Sequence, residues 1–141
     1  MDKDDTDFRE WDSMYAIKDE KCPFCNSKST LITRNNMAIA FEDKFPVTKN
    51  HTLVTPIRHV SSFFELGSFE YNAWFLLINN LKNIITKNDR TVTGFNIGIN
   101  DGVDAGQTVF HCHIHVIPRR NGDVINPRGG IRNIMPSRNK Y

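Results

Sequence analysis

Long apolar runs and a charge imbalance are both missing from this chain of 141 residues. Its longest apolar stretch, Ala73 to Ile78, is far too short to cross a bilayer. The highly charged residues 1–12 also lack the apolar core of a secretory signal peptide. Acidic and basic side chains are interspersed and nearly balance, at a net charge of +2, which argues against a surface dedicated to nucleic acid or to a membrane. We therefore expect a cytoplasmic protein with neither of those partners.

Cysteine is scarce as well, and the three in the sequence leave one unpaired in any disulfide scheme. A reducing compartment disfavours a structural disulfide in any case. Cys22 and Cys25 form a Cys-x-x-Cys pattern, which commonly supplies half of a zinc site. Two further ligands would then come from the five histidines of the chain. The competing interpretation is a redox-active or merely buried pair, but the βαβ context of a thioredoxin-like motif is absent.

Internal repeats and low-complexity segments are also absent, and a hydrophobic content of 39% is ordinary for a globular domain, which excludes fibrous and disordered architectures. A chain of this length can bury one core but is too short for two domains. We expect a polar N-terminal arm over residues 1–20 and one domain over residues 21–141. From about residue 119 onwards, glycine turns and arginines predict an irregular basic tail.

Periodicity predicts an α+β fold with an antiparallel sheet and one long helix. Three strands are expected at Thr30–Arg34, Met37–Phe41 and Thr52–Pro56, arranged as an antiparallel meander. A fourth, with alternating apolar residues over Phe95–Ile99, is expected to pair with the strand that follows it.

The helix is expected from Ser68 to about Lys87, where apolar residues recur at helical spacing. Serine is a favoured N-cap residue because its hydroxyl can accept a hydrogen bond from an amide of the first turn. Ser68 is therefore the expected N-cap.

What the sequence does contain is a concentration of histidine. His111, His113 and His115 occupy every second position of an apolar run from Val109 to Pro118. In a strand these three rings would line one face, while the residues between them, Cys112 included, would enter the core. At about 3.4 Å of rise per residue, the outer two would stand about 13 Å apart, so the three need not share one task. One alternative is an open, catalytic zinc site, since two histidines spaced i, i+2 on a strand can reach one ion.

The loop before this strand, Asn100–Thr108, is rich in glycine and in neutral hydrogen-bond donors. Glycine lets backbone amides approach a ligand, and successive amides in a turn can bind a phosphate-like anion. An anion held there would lie beside an imidazole, which is largely neutral at pH 7 because its ordinary pKa is about 6.5. Such a ring can attack phosphorus and form a covalent phospho-histidine-type adduct.

The pattern of residues 111–117, His-Cys-His-Ile-His-Val-Ile, resembles the signature of the histidine-triad family, His-φ-His-φ-His-φ-φ with φ hydrophobic. Further ordered matches cover nearly the whole chain after residue 20: Ala40–Asp43, Pro46, His51–Val54, Pro56–His59, Asn100 and Gly106–Val109. One departure is Asn50, which stands where many members carry glycine or another small residue. The resemblance implies an α+β fold and a homodimer whose sheet continues across the subunits, with a nucleotide site in each.

Residue by residue, the resemblance also implies roles in nucleotide-phosphate chemistry. His113 matches the nucleophile that attacks an α-phosphate and becomes nucleotidylated. Asp43 matches the ribose-binding position, and Phe41 matches the wall against the base. Catalytic work is expected from His113, His115, His51 and Gln107. The other substrate-binding positions that match are Asn100, Gly106 and Thr108.

For the metal, resemblance to zinc-bearing histidine-triad proteins and to galactose-1-phosphate uridylyltransferase selects His59 and His111 as partners of Cys22 and Cys25. A Cys₂His₂ set saturates tetrahedral zinc and leaves no open position for water, so the ion would be structural. His111 would then tie the N-terminal segment to the strand that carries the nucleophile.

The branch of the family is indicated by the end of the chain. The residues after Pro118 are similar to bacterial histidine-triad hydrolases and to the fragile histidine triad branch, and the tryptophan-containing tail of the phosphoramidase branch is missing. This similarity favours hydrolysis of diadenosine polyphosphates or related nucleotide conjugates. A phosphoramidase or nucleotidyl transferase using the same histidine, and a non-catalytic nucleotide-binding regulator, are the alternatives. The tail arginines would hold the distal polyphosphate or pack on the dimer partner.

Overall fold

Five short strands form one antiparallel sheet in the part of the chain that the computed structural model describes, residues 18–138. They are β1 (Leu31–Arg34), β2 (Ala38–Glu42), β3 (Thr52–Pro56), β4 (Val92–Gly98) and β5 (Ile114–Arg120). Their order is β1-β2-β3-β5-β4, and each strand is antiparallel to its neighbours. The α+β class, the meander and the pairing of the histidine strand with the preceding strand are therefore confirmed. Most of the arm expected over residues 1–20 lies outside the described residues.

One long helix, α1 (Ser68–Asn88), covers one face of the sheet. Its apolar side chains are buried at helical spacing, and burial of such surface stabilises the fold by about 25 cal/mol per Å². The helix contributes Ala73, Trp74, Leu77, Leu81 and Ile85 to the core, and the strands contribute Ala38, Ala40, Val54, Ile114 and Val116. No helix within residues 18–138 is long and apolar enough to cross a membrane.

The helix begins at Ser68 as expected, but its N-cap is Gly67 and not Ser68. The carboxylate of Glu70 reaches back and accepts a hydrogen bond from the Gly67 amide at 3.0 Å. Glu70 is buried and also accepts two hydrogen bonds from the Arg58 guanidinium, which offsets the cost of burying its charge. A carboxylate inside the first turn therefore replaces the expected serine hydroxyl as the cap.

The histidine strand is shorter than expected, because β5 begins at Ile114 and not at Val109. Its partner β3 ends at Pro56, which has no amide hydrogen to continue the ladder. Residues 111–113 are anchored to the loop that follows β3 by a hydrogen bond of 2.7 Å from the Cys112 amide to the Val60 carbonyl. The alternation of faces persists beyond the ladder, since Cys112 is buried in the core, as expected. Burial raises the pKa of this thiol to about 12, which fits a packing role and not a reactive one.

The C-terminal tail folds back onto the edge of the sheet. Residues 119 and 120, expected in the irregular tail, belong to β5 instead. Two short 3-10 helices follow, Gly130–Ile134 and Pro136–Arg138. The first lies against β4, where a Cβ added to Gly98 would come within 3.0 Å of the Ile131 side chain. A side chain at position 98 would therefore require the end of the Ile131 side chain to shift by a few tenths of an ångström.

Candidate active site and metal centre

His113 is buried just before β5, with 8% of its surface exposed. Its Nδ1 lies 2.8 Å from the His111 carbonyl oxygen and donates to it, so the N–H of the neutral ring is on Nδ1. The Nε2 lone pair is then unprotonated and available to attack an electrophile. Burial lowers the pKa of His113, which keeps the ring neutral at pH 7. The predicted nucleophile thus has the tautomer that attack requires, while its role stays a prediction.

A chain of hydrogen bonds fixes the neighbouring histidine pair. The Val47 amide donates to Nδ1 of His51 at 3.1 Å, which puts the proton of neutral His51 on Nε2. That Nε2 lies 2.9 Å from Nδ1 of His115 and donates to it, so the His115 proton is on Nε2 in turn. The rings of His115 and His113 are neighbours, with 5.2 Å between their centroids. An imidazole N–H donor therefore stands beside the candidate nucleophile.

Asp43 lies against this pair, with Oδ2 3.3 Å from Nε2 of His51 and 3.8 Å from Nδ1 of His115. Its other carboxylate oxygen accepts a hydrogen bond from the Phe45 amide at 2.8 Å. Burial lowers the pKa of His51, and burial followed by the neighbouring imidazoles lowers that of His115 to about 4, while the Asp43 charge opposes both shifts. Asp43 can therefore stabilise a proton held transiently by either ring. Its ribose-binding role stays a prediction.

The same three side chains bring their donor atoms within 4.8 Å of one another, a spacing that suits a metal ion. The hydrogen bonds of these side chains, however, disfavour a bound metal ion. Nδ1 of His51 already accepts the Val47 amide, so the ring proton occupies Nε2, the nitrogen that faces the other two donors. Coordination through that nitrogen would require an imidazolate. The open zinc hydrolase considered as an alternative therefore finds no support at this cluster.

Asn50, directly before His51, has a left-handed backbone with a φ of 68°. Glycine enters this region without steric cost, and asparagine is one of the few other residues that tolerate it. This tolerance explains why asparagine can stand at position 50.

An aromatic wall closes one side of the site. Phe41, the expected wall against the base, is buried, and the ring of Phe24 packs against it with 5.5 Å between centroids. The same Phe24 ring meets His113 edge to face, at 4.9 Å and an interplanar angle of 83°. Sequence reasoning missed Phe24. The available signal was its place between Cys22 and Cys25, because a metal that joins these cysteines to His111 brings the residue between them close to position 113.

Gln107 braces the loop that precedes the histidines. Its side-chain oxygen accepts a hydrogen bond from the Gly102 amide at 2.8 Å, and its amide nitrogen donates to the carbonyls of Ser61 and Val109. Asp101 ties the start of the same loop to the Ser62 hydroxyl. The geometry therefore gives Gln107 a positioning role, and its predicted contact with phosphate stays a prediction.

The remaining loop residues present fewer amide donors than expected. The amides of Gly106 and Gln107 both donate to carbonyls within the loop, and Gly106 has a left-handed φ of 90° that lets the chain turn there. Thr108 is exposed and Asn100 half-buried, so their side chains could still meet a ligand. Their predicted contacts with phosphate and leaving-group oxygens stay predictions.

The four residues proposed as metal ligands converge, with their donor atoms within 4.8 Å of one another. The sulfur of Cys25 lies 3.3 Å from Nδ1 of His59 and 3.5 Å from Nδ1 of His111, and the sulfur of Cys22 lies 3.5 Å from the latter. Tetrahedral zinc, with bonds of about 2.3 Å to sulfur and about 2.0 Å to nitrogen, would separate sulfur from nitrogen by about 3.5 Å. The donor set and its spacing therefore both fit zinc.

Hydrogen bonds around this cluster select the ligating nitrogens. Nε2 of His111 donates to the Pro56 carbonyl at 2.8 Å, which leaves the Nδ1 lone pair facing the sulfurs. Burial lowers the pKa of His111 to about 4, so the ring keeps that lone pair at pH 7. Nε2 of His59 lies 3.9 Å from an Asp19 carboxylate oxygen, the outer partner that metal-bound histidines commonly have.

The two arginines at the end of β5 are already engaged. Arg119 makes a bidentate ion pair with Asp123 and also donates a hydrogen bond to the Asn96 side chain. Arg120 bonds to Asp89, the residue that follows α1, at 2.9 Å. These contacts favour a structural role over the polyphosphate binding considered from the sequence.

A five-stranded antiparallel sheet that sets a hydrogen-bonded histidine pair beside a buried histidine with an open Nε2 defines a recognisable class of protein. Residues 25–122 match the HIT domain family. The chain belongs to the HIT, or histidine-triad, family, as its sequence pattern implied.

The chain is similar to several proteins and solved structures of this family. The chain is 38% identical over 95 residues to the asymmetrical bis(5'-nucleosyl)-tetraphosphatase of Schizosaccharomyces pombe, covering 67% of this chain but only 52% of that protein. A zinc-bound histidine triad family protein from Mycobacterium smegmatis superposes with a TM-score of 0.69 at 32% identity, covering 75% and 80% of the two chains. Plasmodium falciparum diadenosine triphosphate hydrolase superposes with a TM-score of 0.64 at 30% identity, covering 79% and 72%.

Proposed function

We propose that this protein hydrolyses dinucleoside polyphosphates, with diadenosine polyphosphates as the leading substrate class, through a covalent nucleotidyl intermediate on His113. The observation that carries this proposal is the hydrogen bond from Nδ1 of His113 to the His111 carbonyl, which leaves Nε2 of the neutral ring unprotonated. The likeness to a bis(5'-nucleosyl)-tetraphosphatase and to a diadenosine triphosphate hydrolase supports the choice of substrate class.

The chemistry follows from the two tautomers. Nε2 of His113 attacks the α-phosphorus, an N–P bond forms, and the P–O bond to the leaving nucleotide breaks with its electron pair on the leaving oxygen. Nε2–H of His115 donates a hydrogen bond to that oxygen, a type of assistance worth about 10²–10⁴-fold in rate. Water then attacks the same phosphorus, the N–P bond breaks, and its electron pair returns to Nε2 of His113. The proton of the attacking water leaves with solvent.

The metal cluster takes no part in these steps. A zinc ion held by Cys22, Cys25, His59 and His111 would supply a rigid cross-link between the N-terminal segment and the residues before β5, because four protein ligands leave no position for a substrate. The likeness to a zinc-bound relative supports this structural role.

We also propose that the protein acts in the cytoplasm as a homodimer in which β4 continues the sheet into a second copy. β4 lies at one edge of the sheet and pairs with β5 alone among the described strands, and an edge strand is a template for a further strand. Light scattering of the purified chain tests the dimer, and a monomer at micromolar concentration would contradict it.

The decisive test is incubation with diadenosine tetraphosphate labelled at the α-phosphate, followed by acid-free mass spectrometry of the protein and analysis of the products. We expect release of AMP and ATP, and a nucleotidyl group on the peptide that contains His113. His113→Ala should abolish both, whereas Cys112→Ala, one residue away on the opposite face, should retain both.

Two other results would replace the proposal. Faster turnover of adenosine phosphoramidate than of diadenosine tetraphosphate would favour the phosphoramidase alternative. Tight nucleotide binding with neither turnover nor labelling would favour a non-catalytic regulator.

A further inference from the structure

The segment that carries Cys22 and Cys25 also carries the aromatic ring that touches the candidate nucleophile. We infer that Phe24 is a positioning residue through which occupancy of the metal cluster sets the orientation of the His113 ring. This inference rests on the proposed function, and it adds a control of the active site by the structural metal.

The ring of His113 is supported on more than one side. The hydrogen bond from Nδ1 to the His111 carbonyl fixes one atom, but by itself it allows the ring to tilt about that contact. Phe24 limits the tilt by packing edge to face against the ring, at 4.9 Å, and His115 is a second ring neighbour at 5.2 Å. Edge-to-face pairs of this kind are attractive beyond the effect of burial alone. Removing Phe24 would therefore release the Nε2 atom from its defined direction.

Phe24 lies between Cys22 and Cys25, so the attachment of these two proposed ligands fixes the backbone that carries its ring. The hydrogen bonds recorded for residues 19–26 run mainly within the segment itself, such as Cys22 amide to Asp19 carbonyl and the Asn26 side chain to three backbone carbonyls. Among the described residues, contacts that join this segment to the rest of the fold include those of the Cys22 and Cys25 sulfurs, the Asp19 contact to His59 and the packing of the Phe24 ring.

The consequence is a mechanical connection between the two centres. Thiols make only weak hydrogen bonds to imidazoles, so without an ion the segment would lose its strongest attachments. Phe24 would then no longer stay against His113, and the attacking nitrogen would lose its aim. A misplacement of about 1 Å can cost about 10²-fold in rate. Metal would thus regulate turnover without touching substrate.

The test compares full-length wild type, Phe24→Ala and Phe24→Leu, each zinc-loaded and chelator-stripped. Phe95→Ala is the matched control, because Phe95 is an aromatic packed against the core on the helix side of the sheet. Three quantities are measured: kcat and KM for diadenosine tetraphosphate, AMP affinity by calorimetry, and the ring resonances of His113 in protein labelled with ¹⁵N-histidine.

With zinc bound, Phe24→Ala should lower kcat by about 10- to 100-fold, the range expected for a misaimed nucleophile. AMP affinity and KM should change less than kcat does, because Phe24 meets the His113 ring directly while Phe41 remains in place. Phe24→Leu should recover most of the rate, and Phe95→Ala should leave kcat near wild type. Removing zinc with a chelator should lower kcat of wild type and shift its His113 resonances. In Phe24→Ala, removing zinc should lower kcat by less than about a further twofold.

The inference is overturned if Phe24→Ala keeps kcat within about twofold of wild type, or if stripping lowers its rate as much as it lowers that of wild type. Should stripped wild type unfold, which circular dichroism reports, the loaded alanine and leucine variants still decide through kcat and the His113 resonances. If loaded wild type turns over no dinucleotide, the proposed function fails. The His113 resonances and AMP affinity then judge the coupling independently.

Discussion

Two clusters of the same kind of side chain stand on either side of His113, and they are equipped for different work. Each gathers two imidazoles and at least one anionic or acid group within 4.8 Å. In the cluster of Cys22, Cys25, His59 and His111, the Nδ1 atoms face the sulfurs, and Nε2 of His111 donates outward to a carbonyl. In the cluster of Asp43, His51 and His115, a proton lies between the rings.

The difference shows that the hydrogen-bond partner of one ring nitrogen decides whether the other nitrogen offers a lone pair to a metal ion or a proton to a neighbour. A carbonyl behind His111 puts its proton on the far side and leaves a lone pair for an ion. An amide behind His51 does the opposite, and leaves a proton to pass along. Two backbone groups, the Pro56 carbonyl and the Val47 amide, therefore distinguish the proposed metal cluster from the proposed proton relay.

The largest expected effect comes from breaking the metal cluster. Cys22→Ser should reduce bound zinc well below one per chain and lower the free energy of unfolding by about 5 kcal/mol, a fraction of the 10–16 kcal/mol that structural zinc binding can contribute. Metal analysis and thermal unfolding check this. Cys112→Ala should lose core packing yet keep its zinc, so equal zinc in both variants would contradict the assignment.

Substitutions in the cluster of Asp43, His51 and His115 should affect catalysis and not metal binding. His51→Asn and His115→Asn should each lower kcat by about 10²–10⁴-fold, the usual contribution of a positioned proton donor, with zinc content unchanged. The double variant should be little worse than either single one, because the two rings act as a unit. Steady-state kinetics with metal analysis measures both effects, and zinc loss from either single variant would remove the distinction between the clusters.

The pH dependence of stability sharpens the contrast further. His115 has a pKa of about 4 in the folded state, lowered first by burial and then by His113 and His51, against an ordinary value of about 6.5. The unfolded state therefore binds more protons between these values, and stability should fall as pH drops from about 6.5 to about 4. Since the ring is partly exposed and screened, we expect a loss of about 1–2 kcal/mol. Denaturant titrations at several pH values in this range give the free energy of unfolding as a function of pH. This free energy should depend less steeply on pH in His115→Asn than in wild type, and an equal dependence would contradict the pKa shift.

The smallest expected effect concerns a buried polar group that belongs to neither cluster. The hydroxyl of Thr55 is fully buried on β3 and has no hydrogen-bond partner among the described residues. Thr55→Val keeps the shape and removes the unpaired group, so it should raise the free energy of unfolding by about 1 kcal/mol with kcat unchanged. Loss of activity in this variant would instead reveal a ligand contact for the hydroxyl.

Sequence periodicity was enough to predict the sheet, the helix and the α+β class, because alternation and helical spacing report which face of each element is buried. Spacing and resemblance also named the four cysteine and histidine side chains that converge. The late start of β5 at Ile114 and the capping of α1 by Glu70 were missed, since both depend on contacts between elements.

The tautomers could not be predicted for the same reason. They are set by Val47 and His111 backbone groups that carry no side-chain signature, so no pattern of residue types reports them. The brace formed by Gln107 likewise depends on the position of Ser61, 46 residues away.

The sequence separation of the four proposed metal ligands also bears on the order of events in folding. Cys25 lies 34 residues from His59 and 86 from His111, so the cluster closes long loops whose chain entropy an ion must overcome. The sheet brings those distant positions together first, because His111 is oriented by the end of a strand that must already be in place. We therefore expect zinc capture to follow assembly of the strands, and we expect the bound ion to slow unfolding more than it speeds folding.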